Sequence, residues 1–240
     1  MTAATSAVTS AAVLATVPAT TRSRIAVRYV CFAPLDESGH ATPPVPCTSV
    51  PSPAPSASTK RLLLVRHARP EANWHEHPDS GLDAVGRSQA AALADDLAST
   101  GPRPLVCSPT LRTRETAAPL AARWRVDPKV DPAVGEIPSP TEDVEQRGVW
   151  LRGVLQGTWG GVDDQVARWR EDLLAALLGF ADGTVVVSHF VAINAAVGYA
   201  TGNDRIIAFT PDHCSRTQLA VDGDRLALVE LGRERATEVR

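Results

Sequence analysis

An arginine and a histidine stand side by side at the end of a short apolar run in RLLLVRH, where they are Arg66 and His67. A second histidine, His189, closes TVVVSH, and Arg112 lies about one helical turn beyond Cys107-Ser108-Pro109 in LVCSPTLR. The planar fork of arginine pairs with two oxygens of a phosphate, and its charge does not titrate away. Imidazole titrates near neutrality and can either attack phosphorus or donate a hydrogen bond. The start of a helix adds N–H groups that favour an anion. Two arginines, two histidines and a helix N-terminus make a phosphate pocket in physical terms. Taken singly, each of these residues is an ordinary strand-end or capping group. Their placement at like ends of separate strands raises the joint reading, and residue types and spacing alone stop at an anion site of unassigned use.

The elements that must bring them together alternate. Residues 61–65 form a nearly continuous apolar run, as a central parallel strand does. GRSQAAALADDLAS reads as a helix stopped by Gly101 and Pro102, and residues 104–107 as the next strand. A helix is expected over 110–122, with Pro119 ending or kinking its last turn, and an edge strand starting at Arg125 and Val126. Residues 128–161 are irregular, with a helix start at Thr141 and one or two turns over 143–151. A strong amphipathic helix covers 163–178, a β-branched strand 184–188 and an apolar helix 191–199. Strands follow at 206–209, 215–221 and 225–231, the last two joined through DGD, a hairpin signal. This order implies an α/β fold: a three-layer α/β/α arrangement with a mostly parallel central sheet and an antiparallel edge strand. In such sheets sites lie beyond the carboxyl ends of strands, where Arg66, His67, Ser108, Ser188 and His189 are expected.

The chain of 240 residues is 44% hydrophobic, enough for one good-sized core, and its formal net charge is −3. That balance points to neither nucleic acid nor membrane as partner and leaves room for a local arginine cluster that binds an anion. No apolar span is long enough to cross a bilayer, and AAVLATVPA makes a poor secretory signal, so a cytoplasmic location is expected. Cys31, Cys47, Cys107 and Cys214 match no metal knuckle or CxxC and read as independent reduced thiols. Residues 1–58, rich in Pro, Ser, Ala and Thr, are expected to be a disordered low-complexity extension, with a short strand in RIAVRYVCFAPL. The folded domain is expected over 59–240, with a small lid insertion at about 128–161.

Three blocks carry a resemblance. LLLVRHARPEAN resembles the strand, Arg-His-Gly and later Asn of the histidine phosphatase superfamily, also called phosphoglycerate mutase-like. CSPTLRTRETAAPLA resembles its second block, Ser-Pro-x-x-Arg-x-x-x-Thr-Ala, and VVVSHFVAINAAV its last, in the family's order. The resemblance implies that His67 is the nucleophile that becomes phosphohistidine and that Arg66 and Arg112 clamp the phosphoryl group. By the same resemblance His189 stabilises a phosphoryl oxygen, Asn73 binds on the phosphate side, and Glu136 in VGEIPSP is the general acid and base. No metal or other cofactor is implied. Glu142, Asp143 and Glu145 are alternative acids, read first as favourable charge at a helix N-terminus. His75 and His77 read as a solvated loop, and Trp150 and Trp159 as packing residues. Arg147 and Arg152 read as a solvated face, while Asp212, His213 and Ser215 support the pocket rim.

The departures from the pattern inform the choice of function. Ala68 and Phe190 replace the glycines after the two histidines, Pro70 replaces a Ser or Thr, and IPSPTED replaces a Gly-x-Trp-Glu-Gly pattern. The expected activity is a metal-independent phosphomonoester hydrolase acting on a small phosphorylated metabolite. The alternatives are a phosphohistidine protein phosphatase, a phosphoglycerate mutase-type phosphotransferase and a non-catalytic phospho-ligand binding protein.

Overall fold

The computed structural model describes residues 59–72, 77 and 79–235. The low-complexity segment 1–58, with the strand expected in it, Cys31 and Cys47, as well as Asn73 and His75, lie outside the described residues. Leu62 and Leu64 on the first strand, β1 (Lys60–Arg66), belong to one apolar cluster, while Val65 belongs to another and Leu63 packs against it. The same alternation runs through β2 (Leu105–Cys107) and β4 (Val185–Ser188), where Val106 and Val186 face one side and Leu105, Cys107, Val185 and Val187 the other. A strand buried on both faces keeps no polar alternation, hence the continuous apolar runs.

The sheet order is β3-β2-β4-β1-β5-β6, with β3 at Lys129–Val130, β5 at Arg216–Asp222 and β6 at Arg225–Glu230. The pairs β1–β4, β2–β4 and β2–β3 are parallel, and β5 runs antiparallel to both β1 and β6. Two helices, α1 (Ala84–Leu97) and α2 (Leu111–Trp124), cover one face through Leu93, Leu97, Leu120 and Trp124. On the other face α4 (Asp164–Gly179) and α5 (Phe190–Thr201) pack through Leu173, Leu177, Ile193 and Val197. The result is the expected three-layer α/β fold with antiparallel strands at one edge. A further helix, α3 (Val144–Leu155), lies within the 128–161 segment. Among the described residues no helix is long and apolar enough to cross a membrane.

Four local expectations need correction. Residues 206–209 form no strand; Ile206 and Phe209 are buried in a loop. The Ala208 and Phe209 N–H groups donate to Asn194 Oδ1 at 2.8 and 3.0 Å, so a side chain takes the place of a ladder. Pro119 sits inside α2 without ending it, because burial of Leu120, Ala121 and Trp124 holds the last turn in place. Arg125 then closes the helix in the left-handed region, which moves the edge strand on to Lys129–Val130. Finally, α3 begins after Asp143 rather than at Thr141, since the Asp143 carboxylate accepts from Gln146 N at 2.8 Å.

Candidate active site

The three parallel strands β2, β4 and β1 are neighbours, so their carboxyl ends meet. Arg66 is in register with Ser188, and Cys107 with Val187. His67 N donates to Ser188 O at 2.9 Å, and Ser108 N to Val187 O at 3.2 Å. The residues that leave the sheet there therefore converge, and α2 and α5 both start from this edge. The sequence places His67 and His189 beside each other for this reason: their rings are 5.3 Å apart between centroids and meet edge to face.

Each group is held by named partners. His67, 5% exposed, shares a 2.8 Å hydrogen bond between Nδ1 and Ala68 O. A carbonyl only accepts, so Nδ1 carries the proton and Nε2 keeps a lone pair. Burial lowers the His67 pKa well below the ordinary imidazole value, with His189, Arg112 and Arg66 adding to it in that order. His189 is fully buried; its Nε2 lies 2.7 Å from Ser108 Oγ and its Nδ1 3.2 Å from Arg112 Nη2. Burial, then Arg112 and Arg66, lower its pKa as well. Arg66 Nη1 donates to Pro211 O at 2.8 Å, and its guanidinium lies 5.2 Å above the Phe190 ring, so the residue replacing glycine at 190 walls the site. Burial brings the Arg66 pKa down to about 10.

Glu136 follows a single 3-10 turn, Pro132–Val134, which is tied to the sheet edge. Ser188 Oγ donates to Val134 O at 2.8 Å, and Asp131 N to Cys107 O at 2.9 Å. The Glu136 carboxylate, 12% exposed, has Oε2 3.9 Å from His189 Nδ1. Burial raises its pKa against the opposing pull of Arg112, the Ile137 N–H and Arg66. The arrangement joins an unprotonated nitrogen, two guanidinium groups, a second imidazole and a carboxyl group inclined to hold its proton. That set can receive a phosphoryl group and supply a proton to whatever leaves it.

The structure thus brings Arg66, His67, Arg112, Glu136 and His189 together. The start of α2 differs from expectation: Leu111 N–H is bonded to Asp79 Oδ1, so that donor is already taken. Glu142, Asp143 and Glu145 are exposed at the start of α3, where Asp143 is the cap. Arg147 is no solvated residue; it is 3% exposed and reaches Glu142 Oε2 at 3.4 Å. Trp159 is buried against Trp169 and Arg170, a packing role. Cys107 and Cys214 are free thiols. Sequence reasoning gave His213 only a place on the rim; its ring lies 5.7 Å from that of His67, and Nδ1 is 3.1 Å from His67 O. A bond to main chain has no fixed sequence spacing, so no motif announces it. Among the described residues there is no group of three or more His, Cys, Asp or Glu that would hold a metal ion.

Comparison with known proteins decides the family. The sequence model of the histidine phosphatase superfamily (branch 1) matches residues 62–234, more than half of the chain. The chain belongs to that superfamily. As a superfamily member it is a phosphatase-type hydrolase. An uncharacterized protein of Mycobacterium tuberculosis, Rv0525, is 32% identical over 165 residues, which cover 62% of this chain and 82% of that protein. The solved mycobacterial glucosyl-3-phosphoglycerate phosphatase Rv2419c in complex with VO3 is 25% identical, with a TM-score of 0.54, covering 72% of this chain and 100% of that one. A phosphoserine phosphatase from Entamoeba histolytica, 19% identical with a TM-score of 0.57 over 73% of this chain and 98% of that one, shares the superfamily fold.

Proposed function

We propose that this histidine phosphatase-type hydrolase cleaves the phosphomonoester of a small phosphorylated metabolite through a phosphohistidine on His67. The observation that carries the reading is the His67 Nδ1–Ala68 O hydrogen bond, which leaves Nε2 as the attacking atom in a pocket shared with Arg66, Arg112 and His189. In the first step the Nε2 lone pair forms the N–P bond while the P–O bond to the alcohol breaks. Glu136 gives its proton to the departing oxygen. In the second step water attacks phosphorus, Glu136 takes a water proton, the N–P bond breaks, and the lone pair returns to Nε2. Arg66 and Arg112 neutralise the phosphoryl oxygens as charge builds in each transition state, and no metal takes part. His189 donates to an oxygen once an anion favours its imidazolium form. The family resemblance gives Asn73 a phosphate-binding role in this reading.

Residues 128–161 act as the lid of a domain that begins near residue 59, with α3 as its main element. Support for a small metabolite comes from the likeness to the mycobacterial phosphatase, which acts on glucosyl-3-phosphoglycerate by its name. The test is release of phosphate from p-nitrophenyl phosphate without added metal, abolished in His67→Ala, with acid-labile, base-stable label on His67 after rapid quench. Turnover by His67→Ala at the wild-type rate refutes the mechanism. A panel of phosphorylated metabolites and phosphohistidine proteins then identifies the substrate.

A further inference from the structure

The peptide unit between His67 and Ala68 is held at both polar ends by side chains from separate parts of the fold. Its N–H, on Ala68, donates to Thr116 Oγ1 at 2.9 Å. Its C=O, on His67, accepts from His213 Nδ1 at 3.1 Å. Thr116 sits in α2, fully buried, and its hydroxyl donates to Arg112 O at 2.7 Å. That one oxygen therefore ties the nucleophile's peptide to the main chain of a phosphate-side arginine. His213 is fixed in its turn: its N–H donates to Asp212 Oδ1 at 2.8 Å, and the next N–H, of Cys214, donates to Arg66 O at 3.0 Å.

The orientation of this peptide unit matters because the following carbonyl, Ala68 O, is the acceptor of His67 Nδ1–H. If the unit rotates, Ala68 O swings away, Nδ1 loses its partner, and the imidazole is free to move its proton to Nε2. In that tautomer the reacting nitrogen has no lone pair. We propose that Thr116 and His213 are positioning residues that clamp the His67–Ala68 peptide and so fix the reactive tautomer of His67. Thr116 acts through main chain, and His213 does so through His67 O while its ring also lies 5.7 Å from that of His67. The inference rests on the phosphohistidine reading for its catalytic consequence, but the tautomer itself is measurable without turnover.

The test uses the full chain and four variants. Thr116→Val keeps the shape and removes the hydroxyl, and His213→Leu removes the ring N–H. Thr116→Ser and His213→Asn retain a donor or acceptor at nearly the same place. Nitrogen-15 NMR of the His67 ring should show one tautomer, protonated at Nδ1, in the wild-type protein. The two deletion variants should show a second population protonated at Nε2, which the conservative variants reverse. On p-nitrophenyl phosphate the deletion variants should lose about 10- to 100-fold in kcat/KM, the scale of a misplaced reacting group. Competitive inhibition by inorganic phosphate should stay within about twofold, since Arg66 and Arg112 are intact, and a purely structural role would move both together. A single Nδ1-protonated form in both deletion variants overturns the clamp. A wild-type protein without phosphatase activity whose deletion variants still shift the tautomer supports the clamp and refutes the phosphohistidine reading instead.

Discussion

Arg112 Nη2 lies 3.2 Å from His189 Nδ1, and the other ring nitrogen of His189 lies 2.7 Å from Ser108 Oγ. A guanidinium has donors only, so Nδ1 must accept and Nε2 must carry the proton. The second histidine of the site is therefore a neutral imidazole strung between an arginine and a serine, consistent with a pKa lowered first by burial and then by Arg112.

That relationship makes Ser108 more than a strand-end residue. Ser108→Ala leaves a buried Nε2–H without an acceptor, a loss of about 1–3 kcal/mol. Urea unfolding should report it as a shift in midpoint with an unchanged slope, and phosphatase activity should fall because His189 is free to turn.

Arg112→Lys keeps a positive charge and gives up the planar fork. The expected fall in kcat/KM on p-nitrophenyl phosphate is on the order of 100-fold or more, with weaker inhibition by inorganic phosphate. Near wild-type kinetics for the lysine variant would remove Arg112 from the phosphoryl clamp.

Glu136 holds its proton to higher pH than an ordinary glutamate because burial is the largest influence on it. An acid is needed most when the leaving group is a poor one, so Glu136→Gln should slow an alkyl phosphate far more than p-nitrophenyl phosphate. The alkaline fall in the rate on the alkyl substrate should disappear in the variant. Equal losses on the two substrates would assign the proton to another group.

His67, His189 and His213 all have lowered pKa values, in each case chiefly through burial; that of His213 falls to about 4. The unfolded chain binds protons on these rings near pH 6.5, and the folded protein does so only at lower pH. Their contribution to stability is therefore complete above about pH 6.5 and is lost as pH falls through the folded values. Tm should drop between pH 7 and pH 4, and less steeply in His213→Asn. A Tm independent of pH over that range contradicts the assignment.

Gly86 lies in the first turn of α1 against the backbone that follows His67. A β-carbon there would stand 2.1 Å from Arg69 O, closer than any real contact, and the obstacle is main chain. Gly86→Ala should destabilise by about 1–3 kcal/mol, the usual range for overpacking. It should also lower activity by shifting the segment from His67 to Arg69. Thermal denaturation and the rate on p-nitrophenyl phosphate measure the two effects separately.

The legible parts of this protein are those where sequence and geometry share a period. Unbroken apolar runs ending in Arg66-His67 and Ser188-His189 announce buried parallel strands and what lies at their tips. DGD announces the hairpin between β5 and β6. Composition misleads at 206–209, where apolar residues serve a loop whose backbone is satisfied by Asn194. Arg147 misleads in the opposite sense, a charged residue that the fold buries. Glu136 was indicated by family resemblance and by no local pattern, since its place depends on how the 3-10 turn docks. Thr116 stands in the Ser-Pro-x-x-Arg-x-x-x-Thr-Ala block, yet the block does not reveal that its hydroxyl meets the Ala68 N–H, and the bond from His213 to His67 O leaves no trace in residue spacing.

The turn that carries Glu136 is fastened to the tips of β2 and β4, through Asp131 with Cys107 and Ser188 with Val134. Glu136 thus shares a foundation with His189, the histidine it faces, while α3 lies further along the chain. On the proposed reading of residues 128–161 as a lid, that helix is the part to lengthen, shorten or exchange so as to change the molecule admitted, with Glu136 and His189 left where they are.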